Sequence, residues 1–355
     1  MIHPDCETIK NYIVEKEYPH EISLDLDGFQ IKIKTNSAIL KNELQNYFKD
    51  FLVPAVDKPI LIRAMQADIP DLPWEFTIRH PDPGKSKIKE EYMDLNGCRV
   101  VRKTTTGLVL AFGRDFNLAY GPCEENPNQV INFINNRFIE SLLNRDMLLG
   151  HAAGVKYKKK GLAIAGFSGM GKSTLALHLM SLGTTFISND RLLLEKRSTN
   201  QIMYGVPKMP RINPGTALNN NDLASVIPDA DRKKFSKLPQ NELWDLEHKY
   251  DVFIEKCFGP DKFELSSSYS GLVLLNWRHC AGKMKMEKID INNRKDLLPA
   301  FMKDPGLFFL PEKTRNPDLS RESYINALKN RPIFEISGGI DFDAAARECL
   351  AFLKE

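Results

Sequence analysis

The chain has 355 residues, 42% of them hydrophobic and 27% charged, with a net charge of +3. That length accommodates two domains, each with its own core, and the near-balance of charge, with no long basic block, excludes a dedicated nucleic-acid binder. No run approaches the roughly 20 apolar residues that a membrane span needs, and the opening Met-Ile-His-Pro-Asp-Cys lacks the charged and apolar regions of an export signal. The six cysteines (Cys6, Cys98, Cys123, Cys257, Cys280 and Cys349) are scattered without a C-x-x-C pair. They read as free, mostly buried thiols in a reducing compartment, and a cytoplasmic protein is expected.

Apolar and polar residues alternate over residues 20–36 on both sides of Asp27-Gly28, which predicts a hairpin. Ser37 then caps a predicted helix over Ala38 to Phe51. Strands are expected at Pro59–Met65, Trp74–Arg79, Arg99–Thr104 and Leu108–Phe112, and helical spacing runs from Pro127 to Leu149. This first part reads as an α+β domain ending at residue 145, with no motif that carries chemistry.

From Leu148 the texture changes. Strands are predicted at Leu149–Tyr157 and Gly161–Ala165, joined by the basic run Lys156 to Lys160, a solvated hairpin turn. A helix over Ser173 to Leu182 and a β-like segment, Thr184 to Asp190, come next. Arg191–Glu195 and Gln201–Gly205 form a hairpin pair. Residues 218–262 are polar and acid-rich, with helical spacing over Gln240–Tyr250. Strands follow at Leu272–Trp277 and Lys283–Asp290, then a short helix at Asn293–Leu298 and a longer one at Asp341–Leu353.

Between the second strand and the following helix stands Gly166-Phe-Ser-Gly-Met-Gly-Lys-Ser-Thr174, which matches G-x-x-x-x-G-K-[ST] in the strand-to-helix setting that a phosphate loop requires. Gly166, Gly169 and Gly171 let the backbone turn its N–H groups onto phosphate oxygens, and the helix points its positive end at the same anion. The nucleotide would lie against Gly166, Ser168, Gly169, Met170, Gly171, Lys172, Ser173 and Thr174. Lys172 would reach the β- and γ-phosphates, and Ser173 would face Mg²⁺. If the two strands flanking this helix are parallel, a right-handed crossover puts Asn189-Asp190 beside the loop. Asp190 there would hold the metal or accept the proton of an attacking hydroxyl. His151, at the start of the neighbouring strand, is a further candidate. The segment Val206-Pro-Lys-Met-Pro-Arg-Ile-Asn-Pro-Gly-Thr216 holds three prolines that stiffen a loop carrying Lys208 and Arg211, cations suited to a transferring phosphoryl group or an acidic acceptor. The carboxylates at 245, 247 and 251 read as a solvated helix face.

His151-Ala-Ala-Gly154, the stretch Gly161 to Leu179 and Ser188-Asn-Asp190 resemble the HPr kinase/phosphorylase superfamily. The wording from Gly166 through Arg191, with Pro-Arg-Ile-Asn-Pro-Gly-Thr, resembles its HPr kinase-related kinase B branch. The likeness covers residues 148–216. It implies an α/β P-loop kinase domain of the type shared with phosphoenolpyruvate carboxykinases over residues 146–355, using ATP and Mg²⁺ and forming a homo-oligomer. It further implies that Asp190 is the base on the acceptor hydroxyl and that His151 supports it. The chain departs from the family at Asn189, which replaces the first of two aspartates, at Phe167 and Thr174, and in lacking the Leu-Glu-Ile-Arg-Gly motif. The expectation is therefore a forward kinase acting on a protein serine or a small molecule other than HPr, without nucleic acid or membrane as partner. The alternative is a nucleotide-gated binding module with little or no turnover.

Overall fold

The structure, a computed structural model, describes residues 5–9, 17–81, 86–114, 116–196, 199–239, 242–243, 246, 248–279, 281–311 and 317–355. The chain divides into two compact units: Met1–Ser141 with Pro305–Glu312, and Leu142–Asp304 with Lys313–Glu355. A single cut near residue 145 leaves out the return of 305–312 to the first unit.

The first unit is built on one sheet. Its strands are β1 (His20–Asp25), β2 (Gln30–Thr35), β3 (Ile60–Gln66), β4 (Thr77–Ile78), β5 (Glu90–Leu95), β6 (Cys98–Lys103), β7 (Val109–Gly113) and β8 (Phe116–Gly121), in the order β1-β2-β3-β8-β7-β6-β5-β4. Helix α1 (Ala38–Tyr47) starts where expected, the Ser37 hydroxyl accepting from Leu40 N at 3.0 Å. It serves as the connection that lets β2 and β3 run parallel. Strand β5 was hidden by its acidic residues. Glu90 and Glu91 lie directly opposite Lys103 and Arg102 on β6 and form ion pairs with them, so cross-strand charge does what apolar alternation does elsewhere. Strand β8 also went unpredicted, and of the expected strand 74–79 only β4 pairs. In α2 (Pro127–Leu143) the Arg137 guanidinium is buried and lies over the Phe112 ring, 4.0 Å from its centroid. It donates to the Phe308 carbonyl and so fixes the returning segment.

The thiol expectation needs correcting. A disulfide joins Cys6 to Cys98, while Cys123 and Cys349 are free and buried and Cys257 is free and half-buried. Cys280 lies outside the described residues. No helix among the described residues is long and apolar enough to cross a membrane.

The second unit holds β9 (Met147–Gly150), β10 (Ala152–Tyr157), β11 (Lys160–Gly166), β12 (Thr185–Ser188), β13 (Leu192–Glu195), β14 (Ile202–Gly205), β17 (Ser266–Leu275), β18 (Lys285–Ile289) and β19 (Ile333–Ser337) in one sheet. The path is β12-β10-β11-β17-β14-β13-β9, and it forks at β17. Ser266–Ser268 pair with β14, whereas Leu272–Leu275 pair in parallel with β19. The two-residue strands β15 (Arg211–Ile212) and β16 (Tyr250–Asp251) form a separate ladder.

Strands β11 and β17 are parallel and buried on both faces, hence their unbroken apolar runs. Ala163, Ala165, Leu272 and Leu274 face a core that includes Phe301, Tyr324 and Leu328. Leu162, Ile164, Val273 and Leu275 face α3 (Lys172–Ser181) and α5 (Phe342–Lys354). Helix α4 (Arg321–Leu328) and β19 were not predicted. The expected helix at 293–298 is instead a series of turns ending in a 3₁₀ turn at Leu298–Ala300. The expected helix over 240–250 falls partly outside the described residues, and Tyr250–Asp251 belong to β16.

Candidate phosphate loop and catalytic corner

Strand β10 is antiparallel to both β11 and β12, so β11 and β12 point the same way with β10 between them. The crossover condition set by the sequence is therefore met. The register then assembles the site. Ala152 opposes Ala165 and Gly154 opposes Ser188, so the start of β10 and the ends of β11 and β12 share one edge. Gly166, His151 and Asn189-Asp190 all emerge there.

His151 owes its place to an interruption. The strand expected over 149–157 breaks into β9 and β10 at this residue, because its N–H leaves the sheet to donate to Phe301 O at 2.6 Å. Gly150 bridges Met302 at the same point, and a Cβ on Gly150 would meet the Phe301 ring at 2.5 Å. The 300–303 segment thus reaches the edge, and Lys303 comes with it.

The loop has the geometry of an anion cradle. Gly169 and Gly171 have φ of +80° and +83°, the left-handed region that glycine adopts without strain. Gly171 is the N-cap of α3, so no side chain satisfies the first-turn N–H groups, and no acidic residue occupies that turn. Lys172 is buried and folded onto its own loop, donating to Gly166 O at 2.8 Å and to Phe167 O at 3.4 Å. Burial lowers its pKa from the ordinary lysine value, Asp190 opposes that shift, and Lys303 adds to it. Two aromatic residues that sequence reasoning missed hold the loop in shape. Trp277 Nε1 donates to Met170 O at 3.0 Å, and the Phe342 ring lies where a Cβ on Gly171 would be, 2.5 Å away. The two rings pack edge to face with centroids 4.9 Å apart. Ser168 and Phe167 are exposed. Thr174 Oγ1 lies 3.1 Å from Thr216 Oγ1, which ties the start of α3 to the proline-rich segment.

Asp190 is the hub of the corner. Its Oδ1 is 3.0 Å from His151 Nε2, and its Oδ2 is 3.8 Å from Lys303 Nζ. Burial alone would raise its pKa, but the His151 hydrogen bond and the charges of Lys303, His151 and Arg191 outweigh burial and hold the carboxyl well below the usual range. It is an ionised hydrogen-bond acceptor at any physiological pH. The corner is pinned by Ser188, whose hydroxyl donates to Arg191 O and accepts from Val206 N at 3.2 Å.

Arg211 does not join this group. It is exposed on β15 and paired with Asp251 at 3.3 Å, since the β15–β16 register places the two opposite each other. Lys208 on the same segment is drawn inward instead. No motif flagged Lys303, which lies far along the chain in an irregular turn.

Magnesium would fit these residues. Asn189 Oδ1 is buried and makes no hydrogen bond among the described residues, next to the Asp190 carboxylate and on the same edge as Ser173. No cluster of three or more His, Cys, Asp or Glu residues suited to a metal occurs among the described residues. A magnesium ion carried by a triphosphate needs only one or two protein oxygens.

An open polar depression of about 990 Å³ lies elsewhere in this unit, bordered by Asp146, Lys196, Gln201 and Arg331. Several of its polar groups have partners within the fold: Lys196 pairs with Asp146 at 2.5 Å, Gln201 donates to Ala327 O at 3.1 Å, and Arg331 donates to Thr199 O at 2.7 Å.

No family model matches the sequence, and no curated protein matches it. Among solved structures, the HPr(Ser) kinase/phosphatase from Coxiella burnetii aligns with 58% of this chain and 99% of its own, at 13% identity and a TM-score of 0.29. A superposition that loose bears on neither fold nor chemistry.

Proposed function

We propose that this protein is a Mg-ATP-dependent kinase that transfers the γ-phosphoryl group to a hydroxyl acceptor. The observation that carries this reading is the convergence on one sheet edge of a glycine loop, an uncapped helix start and the His151–Asp190–Lys303 group. Loop N–H groups and the α3 terminus hold the triphosphate, and Lys172 exchanges its two carbonyl partners for phosphate oxygens. Ser173 and Asp190, the latter with Asn189 beside it, would hold magnesium, which would supply neutralisation of phosphate charge. The acceptor oxygen forms its bond to the γ-phosphorus as the bond to the β,γ-bridging oxygen breaks, with ADP leaving. Asp190 accepts the hydrogen bond of the attacking hydroxyl and then its proton, with His151 Nε2 at 3.0 Å orienting the carboxylate. A carboxylate held this acidic is a weak base, and its main contribution is orientation, which suits a loose transition state.

The test is label transfer from γ-labelled ATP into macromolecular and small-molecule fractions of host lysate. Label that requires Lys172 is expected in one fraction, with Lys172→Ala reducing it at least ~1,000-fold. A Lys172→Ala protein that transfers as wild type would overturn the assignment. One feature favours the second reading, a nucleotide-gated module: Asn189 stands where a second metal-facing acid is expected. Stoichiometric ATP binding without transfer into either fraction would select it.

A further inference from the structure

The proline-rich loop presents a cation that the kinase reading leaves unused. Lys208 is half-buried, and its ammonium makes no hydrogen bond or ion pair with any described residue. Its backbone N–H closes a tight turn on Val206 O at 2.7 Å, and Val206 N is tied to Ser188 Oγ at 3.2 Å. The lysine is therefore anchored to the very corner that carries Asp190. Burial lowers its pKa, and Arg191, Arg211 and Lys303 push the same way, with only Asp190 opposing.

A half-buried cation among like charges is unfavourable unless an anion completes the group. The kinase reading assigns Lys208 no contact with ATP. The triphosphate belongs at the end of β11, whereas Lys208 follows β14, whose end packs on β12: a Cβ on Gly205 would lie 1.9 Å from Ile187 O. Strand β10 separates β11 from β12, a lateral span of roughly 10 Å at the usual strand spacing. The charges of Asp190 and Lys303 act on both Lys172 and Lys208. Asp190 stands just past Ser188, which ties the Lys208 segment through Val206, and Lys303 pairs with Asp190 at 3.8 Å, so the kinase reading puts the acceptor hydroxyl at this corner.

We infer that the acceptor is a small anion bearing the reactive hydroxyl, its carboxylate or phosphate-ester group bound by Lys208 and Lys303 so that the hydroxyl meets Asp190. The hydroxyl rests on the kinase reading, while the anion site rests on the side-chain arrangement alone. Two lysines carried by different segments suit a compact anionic head on a short hydroxylated chain. Neutralising it would also remove the charge conflict around Lys208.

The test fills the phosphate loop first, with Mg²⁺ and a non-hydrolysable ATP analogue, and then titrates three probes by calorimetry. D-Glycerate and sn-glycerol 3-phosphate carry the two anionic groups, and glycerol is the neutral control. At least one anion is expected to bind, with glycerol silent, and the arm that binds more tightly identifies the head group. Lys208→Gln and Lys303→Gln should each weaken binding at least ~10-fold, and the exposed Lys295→Gln should leave it unchanged. Binding of neither anion at millimolar concentration would overturn the inference. So would equal binding of glycerol, or binding indifferent to both substitutions, which would mark an adventitious ion only. Anion binding that persists while no label transfer is found in the lysate assay would retain the site and refute the kinase, so the two failures are distinguishable.

Discussion

At the residue scale the site is a balance of buried charge. Asp190 has a folded pKa below its unfolded value, so it contributes stability that is fully present above about pH 4, the ordinary aspartate range. That contribution is lost as pH falls through the lower folded value. Asp190→Asn should therefore melt below wild type at pH 7, with the gap closing toward pH 3; a gap that widens in acid would contradict the assigned charge state. Lys208 runs the other way. A lysine whose folded pKa is lowered destabilises the fold while charged, and the penalty shrinks as pH rises from the folded value toward about 10.4. Lys208→Met should raise the melting temperature at pH 7 by roughly 2–4 °C, the shift for about 1 kcal/mol in a unit of this size. A lower melting temperature would show that Lys208 has a partner in the folded protein. A residue that costs stability where it stands is what a binding role predicts.

At the element scale, the loop is shaped by what packs behind it. Trp277→Phe keeps a ring in place but removes the donor to Met170 O, a loss of about 1 kcal/mol. It should raise the KM for ATP about 5-fold with little change in kcat. A loss of kcat at unchanged KM would instead implicate the catalytic corner. Gly171→Ala is harsher, since φ is +83° and the new methyl meets Phe342. A cost of about 1–3 kcal/mol and loss of nucleotide binding are expected. The shape of the glycine loop was legible in the sequence because it is local: strand, turn and helix are contiguous, and Gly169 and Gly171 have positive φ. Asp190 was legible one step later, through crossover geometry. His151 was placed on the right strand, but the break that aims it was not visible, because its cause is a hydrogen bond to Phe301, far along the chain. Lys303, Trp277 and Phe342 reach the site by the same kind of long-range packing, which leaves no periodic trace. Arg211 lies outside the corner for a related reason. Its exposed position is decided by pairing with Asp251 across a ladder only two residues long.

At the scale of the whole molecule, each of the two units is built on one large sheet, and the two sheets differ in how readable they were. In the second unit the apolar runs of β11 and β17 announced strands buried on both faces. In the first unit β5 concealed itself behind ion pairs, and the connection between Cys6 and Cys98 contradicted the expectation of free thiols. That bridge spans 92 residues, and closing so long a loop limits the unfolded chain's freedom, a stabilisation of about 2–4 kcal/mol. Reduction, or Cys6→Ser, should therefore lower the midpoint of the first unit's denaturant unfolding; an unchanged midpoint would show that the bridge contributes nothing to the fold.

The measurement that tests the central claim most directly sets ATP binding and label transfer side by side for wild type, Lys172→Ala and Asp190→Asn. A phosphoryl-transfer site predicts that wild type does both, that Lys172→Ala loses both, and that Asp190→Asn binds nucleotide but transfers almost none. Transfer by Asp190→Asn at the wild-type rate, or tight binding by wild type with no transfer at all, would contradict it.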